Sequence, residues 1–481
     1  MLQTTPARRP FFFIAVALLL AGCRGGNAAP AIPAASLSRS PAAQHAGGID
    51  KIQHVVIVVQ ENRSFNNLFF GFPGAKTVTY GLDSKNQKIT LKPVGLASSW
   101  DIEHSSGGFY AACNGTGKIP GTGCRMNGFD KETWTCTKTG KTRCPIEYPP
   151  YSYVPHDESA PYFSMAKQYV LADQMYASNF DSSSYVSHQY IISGQAGTTT
   201  DYPLVNWGCP GGKSDTIWTL KAHPPRAYDK KVTDCFNYQT VGDELDDAGG
   251  SWAFYATPLG RVGPGGTTCG SGLKSNSYIE GGIWSSYQAV KHICYGPDWD
   301  RDVFYPPQQF LTDVGNGQLR DVTWITPYCK NSDHPGCSSD TGPSWVTSVV
   351  NAVGTSKFWK STVIFIFWDD YGGFYDPEPP SYKDYDGLGI RIPLLIISPY
   401  ARKGWVSHVH YEHGSILKFI EDRFRLAPLA ESDRRAASLT KPGLDCFDFS
   451  KPPREFVPIR SKYDTNFFLH QTPDYRPPDT D

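Results

Sequence analysis

The chain has 481 residues, of which 40% are hydrophobic, 14% aromatic and 19% charged. This composition is too apolar for a disordered protein, and the length allows a large core in one domain or in two closely joined domains. Lys and Arg number 45 and Asp and Glu number 46, so the net charge gives no reason to expect nucleic acid as a partner.

The N-terminus predicts export. Arg8 and Arg9 precede an apolar stretch, residues 11–21, which is too short for a membrane span and has the charged-then-apolar order of a cleaved peptide. Residues 20–23 resemble the lipobox of bacterial lipoproteins, which implies a signal peptide over 1–23 and membrane attachment through a lipidated Cys23. The alternatives are secretion after cleavage near Ala28, and a twin-arginine signal at Arg8 and Arg9.

Residues 24–50 are rich in Ala, Pro, Ser and Gly, a composition typical of a flexible tether. We expect the main domain over residues 51–430 and a C-terminal tail, residues 431–481, packed on that domain.

Two segments far apart in the sequence predict buried strands that end in metal-binding side chains. Residues 55–59 lead through Gln60 to Glu61 and Asn62, and residues 363–368 lead to Asp369 and Asp370. Successive strand residues point to opposite faces, so each pair can converge on one ion only if the backbone turns there. A turn at residues 372–373 and a loop into a short helix over 62–67 would provide this; ordinary polar loops are the alternative.

The remaining pattern alternates strands and helices, which favours an α/β fold with a mostly parallel sheet sandwiched by helices. We expect further strands at 251–255, 321–325 and 392–397, and helices at 162–169, 307–314, 343–353 and 415–424. Residues 76–160 and 200–300 are rich in Gly, Thr, Cys and Tyr and indicate long insertions over one end of the sheet.

Eleven cysteines follow Cys23, and no repeated C-x-x-C motif indicates a zinc ribbon. Disulfides in an oxidising compartment are the better interpretation. Because short loops close easily, we expect three close pairs, with Cys446 left unpaired: Cys113 with Cys124, Cys136 with Cys144, and Cys329 with Cys337.

Several motifs, taken in order, resemble those of the bacterial phosphoesterase family, which contains phospholipases C and acid phosphatases and belongs to the alkaline phosphatase superfamily. The motifs are Gln60–Phe65, Met126–Asp130, Ser332–Pro335, Trp368–Asp376 and His413–Glu421. The resemblance covers about residues 52–425 and implies an alkaline-phosphatase-like fold and a metal-dependent phosphoric ester hydrolase.

The resemblance also implies the metal ligands, since Glu61, Asn62, Asp369 and Asp370 match the ligand positions of the family. An oxygen-rich set without a histidine cluster suits Ca²⁺, Mg²⁺ or Mn²⁺ better than a soft-ligand metal, but the pattern does not decide between these ions and Zn²⁺.

The family's nucleophile is a Ser or Thr that also contacts the metal, followed by a strand ending in Gly. Counting back from His188 selects Ser184, with Ser183 as the neighbouring alternative and residues 191–194 as the strand. A hydroxyl is a poor nucleophile at its own pKa, and the two aspartates and an ion would activate it. Without the family, the serines would be a polar turn.

Among the histidines, His104 matches a family position that contacts the substrate phosphate, and the alternative for it is a polar residue that caps a loop. His334 follows the predicted strand at 321–325, and we expect it to face the phosphate, where it could donate hydrogen bonds or protonate the leaving oxygen. His413 opens a predicted helix, and a structural and a functional role are equally open for it. Pro377 stands where many relatives have a histidine.

The function implied first is a broad-specificity acid phosphatase, because the sequence ends soon after the last motif and lacks the β-rich modules of longer members. The alternative is a phospholipase C that cleaves phospholipid head groups, for which the aromatic residues 148–153 could form a choline cage. A second alternative is an inactive lipid-anchored binding protein; a sulfatase is disfavoured because its Cys/Ser-x-Pro-x-Arg motif is missing.

Overall fold

A computed structural model describes residues 48–139, 141–203, 208–221, 226–257, 269, 284–440, 446–472 and 474. The predicted signal peptide, the lipobox at Cys23 and the tether up to residue 47 lie outside the described residues and stay predictions. Within the described residues, no helix combines the length and apolar character that crossing a bilayer requires.

The strands follow the chain in this order: β1 (His54–Gln60), β2 (Tyr80–Leu82), β3 (Lys88–Thr90), β4 (Lys92–Pro93), β5 (Ser152–Tyr153), β6 (Val170–Tyr176), β7 (Thr199–Thr200), β8 (Thr216–Leu220), β9 (Tyr228–Thr233), β10 (Trp252–Tyr255), β11 (Val303–Phe304), β12 (Val322–Ile325), β13 (Thr362–Trp368), β14 (Arg391–Ile397), β15 (Trp405–Ser407) and β16 (Tyr411–Glu412). The central sheet has the order β11-β10-β12-β1-β13-β14-β6-β15, and β16 also pairs with β6. The small strands form separate sheets in the two predicted insertions.

The central sheet is parallel except at β14, which runs antiparallel to both β13 and β6. β1 lies between β12 and β13, and its register with β13 places Gln60 beside Trp368. The apolar runs in β1 and β13 are buried on both faces, as expected for central parallel strands. The two strands therefore end at the same edge of the sheet, side by side.

The α-helices are α1 (Phe65–Leu68), α2 (Ser106–Cys113), α3 (Ala160–Gln168), α4 (Ser184–Ser193), α5 (Val241–Asp247), α6 (Lys291–Cys294), α7 (Pro297–Asp302), α8 (Gln309–Gly315), α9 (Gly342–Gly354), α10 (His413–Phe424), α11 (Glu431–Arg435) and α12 (Thr465–Leu469). Helices cover both faces of the sheet, since Phe365 of β13 packs on Phe419 of α10 while Trp368, three residues along the strand, packs on Tyr162 of α3.

The fold confirms the predicted mixed α/β architecture with a mostly parallel sheet between helices. The predicted strands correspond to β10, β12 and β14, and the predicted helices to α3, α8, α9 and α10. Two elements differ from the prediction. Strand β6 was missed because the polar residues Asp173 and Gln174 interrupt its apolar pattern, although both are buried.

The strand predicted at 191–194 is wrong, because these residues form the last turn and cap of α4. Gly194 ends the helix in the left-handed conformation, with φ 66°, and its N–H donates to the Tyr190 carbonyl. The Ile191-Ile192 pair is buried on a helix face rather than in a sheet, and two apolar residues alone do not distinguish these cases.

The three predicted disulfides, Cys113–Cys124, Cys136–Cys144 and Cys329–Cys337, are confirmed. Two further bridges join Cys209 to Cys235 and Cys269 to Cys294. Cys446 is a buried free thiol, as predicted. The cysteines of these two additional bridges are 26 and 25 residues apart, so the short-loop criterion does not predict them.

In the C-terminal region, Phe468 of α12 packs edge-on against Trp345 of α9, with ring centroids 5.4 Å apart. The Asn351 side chain exchanges two hydrogen bonds of 2.9 Å with the backbone of Ile459. This part of the tail therefore lies against α9.

Candidate active site

The two acidic strand ends lie next to each other at the carboxyl edge of the sheet. The Asp369 N–H donates to the Gln60 carbonyl at 2.9 Å, and the Asn62 N–H donates to Asp369 Oδ1 at 3.0 Å. Glu61, Asn62, Asp369 and Asp370 are all fully buried. The structure thus brings together the four residues that the sequence singled out.

The backbone turns that the prediction required are present. Gly372 and Gly373 have φ of 60° and 72°, and the Gly372 N–H donates to Asp370 Oδ1 at 2.7 Å. A Cβ atom at Gly372 would lie 2.3 Å from the Asn62 carbonyl oxygen. Only glycine therefore allows the two strand ends to approach this closely.

Ser184 is the first residue of α4, and its Oγ lies 3.4 Å from Asp370 Oδ2. The neighbouring Ser183 hydroxyl instead donates to the Asp201 carbonyl at 2.7 Å. The positive end of the α4 dipole favours negative charge on a group at the position of Ser184. Of the two serines, Ser184 is the one that faces the carboxylates.

His188 lies one helical turn after Ser184, on the same face of α4. Its Nε2 is 3.0 Å from Glu61 Oε1 and 3.8 Å from Asp369 Oδ2. Burial lowers the pKa of His188 to about 4, partly offset by Asp369 and by a hydrogen bond to the Trp284 backbone, so the imidazole is neutral at ordinary pH. The sequence motif indicates His188 only as a marker for the position of Ser184, because the strand predicted at 191–194 conceals the helical spacing of the two residues.

His104 and His334 meet on the other side of Asn62. Their Nε2 atoms lie 2.8 and 3.1 Å from Asn62 Nδ2. Their Nδ1 atoms face the backbone carbonyls of Ile102 and Pro335, which can only accept hydrogen bonds. In the neutral imidazoles, Nε2 is therefore the acceptor, and the Asn62 amide donates to both rings.

The loop that carries His334 is held by a buried polar network. The Arg63 guanidinium donates twice to the Asp333 carbonyl, at 2.9 and 2.7 Å, and the Tyr162 hydroxyl donates to Asp333 Oδ2 at 2.6 Å. Burial raises the pKa of Asp333 to about 6, while Tyr162 and Arg63 oppose the rise. These contacts fix His334 relative to the end of β1.

The carboxylates at this edge repel one another. Burial, followed by the charge of Asp369, raises the pKa of both Glu61 and Asp370 well above the usual carboxyl range. Within the described part of the chain, Glu61 Oε2, Asn62 Oδ1 and Asp369 Oδ2 are buried without a hydrogen-bond partner. Oxygens left in this state fit a bound cation, which would satisfy them and offset the repulsion.

His413 is buried, stands over Phe367 with ring centroids 5.4 Å apart, and accepts a hydrogen bond from the Ser178 N–H at 3.4 Å. Burial lowers its pKa to about 4. Pro377 follows Asp376, whose carboxylate pairs with the buried Arg391 at 2.9 Å. The contacts of His413 with Phe367 and Ser178 are typical of side-chain packing.

Two rings of the aromatic segment 148–153, which could form a choline cage, pack on other rings. The Tyr151 ring is buried and stacks on Tyr375 at 5.2 Å, and Tyr153 stacks on Phe70 at 4.0 Å. One face of each of these two tyrosine rings is therefore covered by another ring.

Comparison with known proteins agrees with this geometry. The model of the Phosphoesterase family matches residues 52–427, which is most of the chain. The chain belongs to the Phosphoesterase family. The match confirms the resemblance found in the sequence motifs, and the four clustered strand-end residues fall inside the matched region.

Curated relatives are distant in sequence. The chain is 25% identical over 473 residues to a non-hemolytic phospholipase C of Burkholderia pseudomallei, a match that covers 86% of this chain and 61% of the relative. It is 25% identical over 506 residues to phospholipase C B of Mycobacterium tuberculosis, covering 94% and 87% of the two chains. The chain thus spans less than two thirds of the first relative's length.

Among solved structures, an alkaline phosphatase superfamily protein from Vibrio parahaemolyticus matches 80% of this chain and 71% of its own. The identity is 8% and the TM-score 0.34, so the similarity carries no argument about function.

Proposed function

We propose that the protein is a phosphoric ester hydrolase that uses Ser184 as its nucleophile beside a divalent cation. The observation that carries the proposal is the position of Ser184 Oγ at the start of α4, 3.4 Å from Asp370 Oδ2. Family membership and relatives named phospholipase C support the reaction class.

Glu61, Asn62, Asp369, Asp370 and Ser184 would hold the cation. When bound, the ion would supply positive charge that polarises a phosphoryl oxygen. Its identity among Ca²⁺, Mg²⁺, Mn²⁺ and Zn²⁺ is part of the experiment below.

The side chains of the protein perform the proton transfers of a double displacement. Ser184 Oγ attacks phosphorus as its proton moves toward Asp370 Oδ2, and the P–O bond to the alcohol breaks. His104 or His334 carries a proton on Nε2 in its imidazolium form, in which Nε2 no longer accepts from the Asn62 amide, and gives that proton to the departing oxygen. Water then attacks the phosphoserine and gives one proton to the histidine, while Asp370 returns its proton to Ser184 Oγ as the P–O bond to the serine breaks. The two inversions give net retention at phosphorus.

The substrate we place first is a phospholipid head-group diester. A broad phosphomonoesterase is the first expectation from the sequence, but the curated relatives are named phospholipases C. Phosphatase activity is the second candidate, since the same nucleophile and cation would also serve a monoester.

The test is turnover of p-nitrophenyl phosphate beside p-nitrophenylphosphorylcholine by metal-stripped enzyme, with Ca²⁺, Mg²⁺, Mn²⁺ or Zn²⁺ returned one at a time. We expect the choline diester to have the higher kcat/KM. Preference for the monoester would favour the phosphatase, and no turnover with any metal would favour an inactive lipid-anchored binding protein.

We also propose that the protein is exported and either anchored through Cys23 or secreted. The disulfides support an oxidising compartment. Metabolic labelling with a palmitate analogue should modify the wild type and not a Cys23→Ala variant if the anchor is used.

A further inference from the structure

The N-terminal half of α4 carries two side chains that face the two consecutive aspartates after β13. Ser184 Oγ lies 3.4 Å from Asp370 Oδ2, and His188 Nε2 lies 3.8 Å from Asp369 Oδ2. Residues four apart in a helix lie on one face, so one rigid element presents an oxygen and a nitrogen to the carboxylate pair.

The three groups Glu61, His188 and Asp369 form a compact set of possible ligands. One atom from each lies within 4.8 Å of the other two, and all three residues are buried. Glu61 Oε2 and Asp369 Oδ2 have no hydrogen-bond partner within the described residues. His188 Nε2 therefore lies beside Glu61 and Asp369, the two carboxylates that each have a buried oxygen suited to binding a cation.

The chemistry of His188 also suits a ligand. An imidazole nitrogen offers a lone pair to a metal ion, and His188 Nε2 lies 3.0 Å from Glu61 Oε1.

We propose that His188 is a nitrogen ligand of the metal centre, in addition to the oxygen ligands, and that it makes the site select Zn²⁺ or Mn²⁺ over Ca²⁺ and Mg²⁺. Imidazole is a good ligand for transition metals and a poor one for the hard alkaline-earth ions. This inference rests on the proposed function only in placing one cation at the carboxylates. It corrects the expectation of a ligand set without histidine.

The first test uses the wild-type protein loaded with Mn²⁺ and labelled with isotopic histidine. Pulsed EPR should detect a histidine nitrogen coupled to the metal. Absence of that coupling in folded, metal-loaded protein would overturn the proposal without relying on any variant.

The second test compares His188→Gln with His413→Gln, a change at another buried histidine. In His188→Gln the nitrogen coupling should disappear, and the ratio of Zn²⁺ to Ca²⁺ affinity measured by calorimetry should fall by about tenfold or more. His413→Gln should keep both. Retained coupling or an unchanged ratio in folded His188→Gln would show that His188 only hydrogen-bonds Glu61.

The outcomes separate this inference from the proposed activity. A wild type with nitrogen coupling that hydrolyses neither nitrophenyl substrate would contradict the activity and leave the ligand assignment standing. A wild type that hydrolyses a substrate without the coupling would contradict the ligand assignment alone.

Discussion

Two groups of acidic side chains in this protein invite opposite interpretations. Glu61 and Asp369 with His188 lie buried at the end of the sheet, while Asp246, Asp298 and Asp302 lie around α7 nearer the surface. In the second group, Arg301 reaches all three carboxylates at 2.6 to 2.8 Å. The α7 group therefore carries its own counter-ion.

The buried group is different. No Lys or Arg side chain forms an ion pair with Glu61 or Asp369 in the described part of the chain, and one oxygen of each lacks a hydrogen-bond partner. The comparison teaches that unsatisfied buried oxygens, rather than the number of carboxylates, indicate where an external cation belongs.

The largest expected effect is that of Asp369→Asn, which removes a charge that the proposed cation needs. We expect loss of detectable turnover and a fall in metal affinity of at least about 100-fold, since even changes outside the ligand set cost 10–100-fold. Metal content and kcat/KM would measure both. Asp298→Asn is the matched control in the α7 group, and an equal loss there would break the comparison.

Ser184→Ala should lower kcat by about 10³-fold or more, because alanine has no hydroxyl to replace the nucleophile at the start of α4. The metal should stay bound, since the carboxylates remain. Ser183→Ala is the control and should keep most activity, because the Ser183 hydroxyl donates a hydrogen bond to the Asp201 carbonyl and not to the carboxylates. Substantial turnover in Ser184→Ala would point to water or Ser183 as the nucleophile.

Gly372→Ala should disturb the buried group through the backbone. The added Cβ would meet the Asn62 carbonyl at 2.3 Å, and the residue needs positive φ. We expect a loss of about 1–3 kcal/mol in the free energy of unfolding, with weaker metal binding. Gly336→Ala, also at positive φ but with open space around its Cβ position, separates conformational strain from the clash.

The smallest effect concerns the α7 group and its pH dependence. Burial raises the pKa of Asp302 to about 6, and Arg301 opposes the rise. The pKa of Asp302 is therefore higher in the folded protein than in the unfolded chain, where it is about 4. The protonated carboxyl stabilises the fold below about pH 4, and this contribution is lost as the pH rises through about 6. Arg301→Gln removes the opposing charge, so Tm should fall more steeply from pH 5 to pH 8 than in the wild type.

Arg434→Gln is the control for that series, because Arg434 forms an exposed ion pair with Glu431. Its Tm should follow the wild-type pH dependence, as exposed pairs contribute little. A parallel pH dependence in Arg301→Gln and the wild type would show that Arg301 does not neutralise the α7 carboxylates.

Sequence reasoning succeeded where local pattern decides structure. The apolar runs of β1 and β13 identify central strands, and Gly372 follows from the need for a turn after Asp370. Glu61 and Asp369 are neighbours because β1 and β13 pair in a register that places Gln60 beside Trp368. Neither segment alone predicts this pairing.

The sequence pattern gives wrong predictions where tertiary contacts override local preference. Strand β6 carries buried polar residues, and the end of α4 has an apolar pair that suits either a strand or a helix. The mistaken strand at 191–194 concealed that Ser184 and His188 share one helix face. The role of His188 could therefore not be derived before the helix was known.

The measurement that tests the central claim most directly is acid quenching of the metal-loaded enzyme during turnover of p-nitrophenylphosphorylcholine, followed by peptide mass spectrometry. The account predicts a phosphoryl-containing adduct on Ser184, absent from the Ser184→Ala protein. An adduct on Ser183, or rapid turnover with an unmodified Ser184 under conditions that make the second step rate-limiting, would contradict it.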